Sequence, residues 1–217
     1  YPGEVLGITG LLGSGRTELA LALYGMRPVS GGEIRLEGEK LQLTGVKDAI
    51  RHGISYVPED RITEGMFLER SIQENIAVSN IDAYCSRSSV VDRAKVRQIA
   101  AEWVKKLGVK TDNPLNPIST LSGGNQQKVV LAKWLACKPD ILILNGPTVG
   151  VDIGAKQDIY DLLCHYAREG MSIIIASDDI REVEALCNRV IVMRGGKVSR
   201  FLTGDEITAA SLTEAAI

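Results

Sequence analysis

The stretch that most constrains this chain is Gly10-Leu11-Leu12-Gly13-Ser14-Gly15-Arg16-Thr17. An apolar run, Val5 to Thr9, precedes it and a helical run, Glu18 to Tyr24, follows, which predicts strand, tight loop and helix in succession. The glycines allow a partly left-handed backbone that turns successive N–H groups toward one point, and the helix N-terminus adds partial positive charge there. Such a loop suits a polyphosphate. Gly10, Gly13, Ser14, Gly15, Arg16, Thr17 and Glu18 are therefore the candidate phosphate-binding residues, with the Thr17 hydroxyl a candidate ligand of Mg2+. Arg16 stands where a loop of this pattern ordinarily carries lysine. It keeps the charge on a wide planar fork instead of a compact ammonium, so binding is expected to survive better than catalysis. Taken by itself, a Gly-rich segment between strand and helix is also compatible with being only a turn.

Around this loop the chain alternates strand-like and helical runs. Val5 to Thr9, Gly53 to Val57, Asp140 to Leu144, Ser172 to Ala176 and Val190 to Met193 read as strands, which points to a largely parallel α/β sheet covered by helices. Ile159, Leu162, Leu163 and Tyr166 form the apolar stripe of a core helix. Residues 64–119 differ: Val91 to Leu107 is a long amphipathic stretch closed by Asn113-Pro114 and Asn116-Pro117, so this segment is expected to be a helical lobe inserted between core segments 1–63 and 120–217. A net charge of -2 gives no reason to expect a nucleic-acid partner. The apolar runs fall short of the ~18 residues that crossing a bilayer requires. Cys85, Cys137, Cys164 and Cys187 match no compact metal or redox spacing and read as reduced thiols. Because the chain opens at Tyr1 without an initiator methionine, it is expected to be part of a longer polypeptide.

A second motif sharpens the reading. Leu121-Ser122-Gly123-Gly124-Asn125-Gln126-Gln127-Lys128 opens a helix whose start can hold an anion, although Ser122 taken alone could be a simple N-cap. Together with the loop at Gly10 and the run Asp140 to Asp152, it resembles the signature of ABC ATPases over the whole chain. The nearer resemblance is to the second cassette of the tandem ATP-binding subunits of bacterial monosaccharide importers, the ribose and galactose type. It is carried by Gly15-Arg16-Thr17-Glu18, Val57-Pro58-Glu59-Asp60-Arg61, Asn125-Gln126-Gln127-Lys128 and Gly150-Val151-Asp152-Ile153-Gly154-Ala155-Lys156. The resemblance implies a P-loop ABC cassette fold, ATP and Mg2+ as ligands, and a second cassette as partner. It also implies a membrane permease that docks on the lobe around Ser71 to Ile76, a periplasmic sugar-binding protein acting indirectly, and a peripheral place on the cytoplasmic face of the inner membrane. Its adenine-stacking aromatic belongs on a strand upstream of Tyr1.

The same resemblance exposes departures. The family's second nucleotide motif ends in Asp-Glu-Pro-Thr, whereas this chain reads Asn145-Gly146-Pro147-Thr148. Asn145 is neutral toward Mg2+, and Gly146, at the general-base position, has no side chain to orient water. Asp178 occupies the switch-histidine position, and His52 and His165 read as bystanders. Facing a terminal phosphate, Asp178 would repel it, by about 4 kcal/mol for unit charges 4 Å apart at an effective dielectric near 20. Asp179, with Glu182 three residues on, reads as a helix cap; Asp178 stays open between the two roles. Glu59 takes the place of a glutamine that helps position magnesium, so the candidate metal set is Thr17, Glu59 and Asn145. The implied function is an ATP-binding cassette for sugar import whose own site is hydrolysis-impaired and whose signature completes the partner's site. The alternative is a regulatory or structural cassette, or a soluble ABC protein unconnected with transport.

Overall fold

The computed structural model describes residues 1–86 and 89–217. In chain order the elements are β1 (Val5–Thr9), α1 (Arg16–Leu23), β2 (Ile34–Leu36), β3 (Glu39–Leu41), α2 (Val46–Arg51), β4 (Ile54–Val57), α3 (Ile72–Ala77), α4 (Arg93–Lys106) and α5 (Gly123–Leu135). Then follow β5 (Ile141–Asn145), α6 (Ile153–Arg168), β6 (Ser172–Ala176), α7 (Ile180–Leu186), β7 (Arg189–Arg194), β8 (Lys197–Thr203) and α8 (Ala209–Ala216). They form two compact units. The first holds residues 1–56, 139–146 and 164–217, and the second holds 57–138 and 147–163. Within the expected lobe at 64–119, Arg87 and Ser88 lie outside the described residues.

The first unit is built on a six-stranded sheet of order β4-β5-β6-β1-β7-β8. β1 is central, parallel to β6 on one side, with Ile8 beside Ala176, and parallel to β7 on the other, with Ile8 beside Ile191. β5 continues the parallel run beside β6, so that Asn145 lies level with Ala176. These strands are nearly continuous in buried Val, Ile and Leu, including Val5, Ile8, Leu142, Ile143, Leu144, Ile173, Ile175, Val190 and Val192. That composition is what a sheet covered on both faces requires. The runs at Val5 and Ser172 keep the expected bounds, while the other three shift by a residue or so.

Two features went unread. The short pair β2 and β3 is half charged, with Arg35, Glu39 and Lys40 exposed and only Leu41 buried. β8 buries only Leu202, so it carries no apolar period. It forms because Gly195 and Gly196 both adopt positive φ, 54° and 78°, which joins Arg194 to Lys197 through a two-residue hairpin turn.

The second unit is helical. Ser71 caps α3 with a reciprocal capping box to Glu74, and Asp92 caps α4 by accepting from the Ala94 and Lys95 N–H groups. Ala77, Tyr84 and Val96 form one apolar cluster with Ile81 and Ile99 against it. Ile159 and Leu163 of the expected α6 stripe are fully buried. Lys133 on α5 is a buried cation. Its Nζ donates to the Gly65 carbonyl at 2.5 Å and lies 5.0 Å from the Trp134 ring centroid.

Burial pushes the Lys133 ammonium down to about 8 from its ordinary 10.5. Between those values the unfolded chain binds more protons than the folded one, so this group makes stability rise with pH. Cys137, pushed up to about 11 by its own burial, acts in the opposite sense above its ordinary value of 9.0, which confines the clean window to pH 8–9. Urea unfolding should show stability rising by up to about 1 kcal/mol from pH 8 to 9, and Lys133→Met should abolish that rise.

Candidate nucleotide site

The loop after β1 owes its shape to glycine. Gly10, Gly13 and Gly15 have φ of 151°, 78° and 97°, and a Cβ at Gly10 would strike both the Met193 carbonyl oxygen and the Ser14 side chain. The Ser14 N–H donates to the Leu11 carbonyl at 2.9 Å, and the Gly196 N–H donates to the Ser14 carbonyl at 2.9 Å. The β7–β8 turn thereby holds the loop from outside. A Cβ at Gly15 would lie 3.2 Å from the Gly196 Cα, whereas nothing comes within 4 Å of one at Gly13. α1 starts at Arg16, so the N–H groups of its first turn have no intrahelical acceptors. Ser14 Oγ and Arg16 Nε are buried without a hydrogen-bond partner among the described residues. Open space at Gly13, unused helix N–H groups and an unpartnered hydroxyl fit an anionic ligand.

Arg16 points inward. Its Nη1 donates to the Gly10 carbonyl at 3.1 Å, and its Nη2 lies 3.2 Å from Asp178 Oδ1. The two departures of opposite charge are thus each other's partners. Asp179 does the capping: its carboxylate accepts from the Arg181 and Glu182 N–H groups, at 3.1 and 3.4 Å. Asp178 is free of that task and lies at the exposed end of the pair.

At the end of β5, Asn145 is buried. Its Nδ2 donates to Tyr56 Oη at 3.3 Å, while Oδ1 has no partner among the described residues. The Gly146 N–H donates to the Ala176 carbonyl at 2.8 Å, and its φ is 53°, a left-handed conformation that a glutamate would adopt only under strain. Thr17 is half-buried and Glu18 exposed. Of the candidate metal set, Thr17 and Asn145 belong to the first unit and Glu59 to the second. No three His, Cys, Asp or Glu among the described residues cluster as a metal cage, and Mg2+ characteristically takes few protein ligands beside phosphate and water. His52 and His165 are exposed.

The signature motif lies in the second unit, where Ser122 is the N-cap of α5. Its Oγ accepts from Asn125 Nδ2 at 2.9 Å, not from a backbone N–H, and Asn125 Oδ1 accepts from the Lys110 N–H at 2.8 Å. Ser122 itself is exposed, Leu121, Gly123, Asn125 and Gln126 are half-buried, and Gly124 is buried. A Cβ at Gly124 would come within 2.5 Å of Ala155 Cβ, and one at Gly123 within 2.9 Å of Arg61 Nη2. Arg61 is the residue sequence reasoning missed. Its Nη1 and Nη2 donate to the Val149 and Gly150 carbonyls at 2.8 and 3.1 Å, so one guanidinium fastens the Gly150 turn beside the start of α5. Its presence in the Pro58-Glu59-Asp60-Arg61 motif was the available signal.

Gly146→Ala should lower stability by about 1 kcal/mol through the left-handed backbone alone, seen as a melting temperature ~2–4 °C lower. An unchanged melting temperature would show that this turn does not need glycine.

The profile of the family described as ABC transporter matches residues 1–149. Ribose import ATP-binding protein RbsA of Clostridium perfringens (strain SM101 / Type A) is 42% identical over 215 residues, covering 99% of this chain and 43% of that protein. Ribose import ATP-binding protein RbsA 1 of Burkholderia thailandensis is 44% identical over 207 residues, 95% of this chain and 41% of that protein. The chain thus spans about two-fifths of the length of these curated relatives. A crystal structure of a nucleotide-free ATP-binding cassette from an ABC transporter superposes with a TM-score of 0.84 at 19% identity, over 98% of this chain and 85% of the other, which establishes the shared fold. With the profile running from the first residue through the phosphate loop, the signature helix and β5, this chain belongs to the ABC transporter family.

Proposed function

We propose that this chain is a nucleotide-binding cassette of a bacterial sugar importer. On this reading it pairs with a second cassette, binds nucleotide with little turnover at its own phosphate loop, and lends its signature motif to the partner's site. One contrast carries the proposal: the start of α5 keeps its serine and both glycines in a close-packed setting, while β5 ends in Asn145 and Gly146. The ribose import relatives support sugar transport as the setting.

Ser14, the N–H groups of Gly13 to Thr17 and the α1 N-terminus would hold the phosphates, and Thr17 and Asn145 would face Mg2+ through its waters. When bound, Mg2+ would neutralise charge on the terminal phosphate oxygens. Asn145 offers an amide in place of a carboxylate, and Gly146 offers nothing to receive a proton from water. Loss of a general base alone typically lowers rate by ~10² to 10⁴. In the second unit, Ser122 and the N–H groups of Gly123 and Gly124 stand at a helix N-terminus suited to phosphate held by a partner cassette.

The same unit carries a groove of about 820 Å³ lined by residues that include Phe67, Gln73, Glu74, Val78, Val91 and Leu115. Its mixture of apolar and charged walls around α3 suits a helix of a permease subunit, which would hold the cassette on the cytoplasmic face of the inner membrane. No helix among the described residues is long and apolar enough to cross a membrane.

In a steady-state assay the isolated chain should hydrolyse MgATP at least ~10²-fold more slowly than a cassette carrying the Asp-Glu pair; robust turnover would overturn the impaired-site reading. In the tandem protein, Ser122→Arg should block the partner's phosphate and abolish most uptake of labelled sugar. Unchanged transport would remove the role assigned to the signature.

A further inference from the structure

We propose that the phosphate loop of this chain selects a nucleoside diphosphate over the triphosphate, and that Asp178, through its pairing with Arg16, sets this preference. The inference rests on the reading that the loop holds nucleotide.

The loop's binding elements separate into two kinds. One is uncharged: the first-turn N–H groups of α1 and the Ser14 hydroxyl, whose oxygen is buried and has no partner among the described residues. These can cradle a β-phosphate whatever the neighbouring charges do. The other kind is the positive charge that a third phosphate calls for, and here each source of it is reduced. The Arg16 side chain is 6% exposed and held at both terminal nitrogens, by the Gly10 carbonyl at 3.1 Å and by Asp178 at 3.2 Å. Because the guanidinium is planar and rigid, turning it toward a ligand breaks both contacts together. Asn145 brings no negative charge with which to hold a metal ion.

Asp178 itself adds a like charge. Its side chain is 54% exposed and stays within 3.2 Å of Arg16, the first residue of α1, so a phosphate that extends past the loop toward Arg16 would meet its carboxylate. It is not tied to the cap of α7, a task Asp179 performs. A diphosphate leaves the Arg16–Asp178 pair intact. A triphosphate must either displace it or accept a carboxylate beside its terminal oxygens. Solvent at a half-exposed carboxylate screens the repulsion, so the expected discrimination is about tenfold and not thousandfold.

The test is calorimetric titration of the 217-residue chain with MgADP and MgATP, for the wild type, Asp178→Asn and Asp178→Ser, each checked by circular dichroism and melting. The wild type should bind ADP about tenfold more tightly than ATP, and both variants should close that gap to under about threefold, mainly by gaining affinity for ATP. Equal wild-type affinities, or variants that keep the gap, would overturn the selectivity while leaving the loop as a nucleotide site. Binding of neither nucleotide at millimolar concentration would overturn the underlying reading instead. Should both variants fail to fold, raising salt from about 0.05 to about 0.5 M with the wild-type chain gives the same decision, because screening narrows a charge-based gap. An unchanged ratio would sink the proposal.

Discussion

A Cβ at Gly10, just past the end of β1, would strike the carbonyl oxygen of Met193, so only a residue without a Cβ fits there. Gly10 lets the chain leave the central strand of the sheet, pass beside β7 and turn back into α1 with Ser14 packed beneath it. The Gly195-Gly196 turn closes the other side by donating to Ser14. The loop is thus held against the turn end of one hairpin, by Met193 of β7 and by Gly196 of the turn. Its conformation depends on that hairpin, which is why the exposed, largely polar β8 matters for a site to which it contributes no side chain.

The clamp explains the posture of Arg16. A loop held this tightly leaves little room around the first residue of α1, and a guanidinium is wider than an ammonium. The side chain lies between the Gly10 carbonyl and Asp178. An arginine buried there with no counter-charge would carry a heavy desolvation penalty; the aspartate and the carbonyl together offset it. The exposed side of the pair keeps part of its solvation through Asp178, which makes the arrangement less demanding than a fully buried ion pair.

Much of this was legible from the chain. β1, the loop and α1 follow from one apolar run, four positions of glycine or serine and a helical run, because those residues act on the backbone locally. The Asp179 cap was legible for the same reason, since a capping carboxylate acts on the N–H groups two and three residues ahead. The strands with apolar periodicity could be read; β8 could not, since a single buried leucine makes no pattern and its pairing is dictated by two glycines at positive φ. Arg61 was visible only as part of a motif, because its acceptors at Val149 and Gly150 are distant in sequence. The Arg16–Asp178 pair was hidden likewise. Each residue reads alone as a defect, and only the parallel register of β1 with β6 brings the two strand ends, and so the two charges, to the same edge of the sheet.

That pairing changes what the four departures mean when taken together. Considered separately, Arg16, Asn145, Gly146 and Asp178 are independent losses scattered over three loops. Considered through their contacts, one pair exchanges charge internally, and the other removes two negative charges from the end of β5. On the proposed reading, the neighbourhood keeps its backbone donors while lacking the groups that would gather a metal ion, a water and a terminal phosphate at one point. Gly146 adds a conformational cost to the electrostatic one: its backbone at φ 53° lies where a side chain is unfavourable, so restoring the carboxylate would also carry a strain of about 1 kcal/mol. On the proposed reading, binding and turnover have been separated in this cassette by editing charge around an intact loop. The signature, in the second unit and packed by its own glycines, is untouched by that edit.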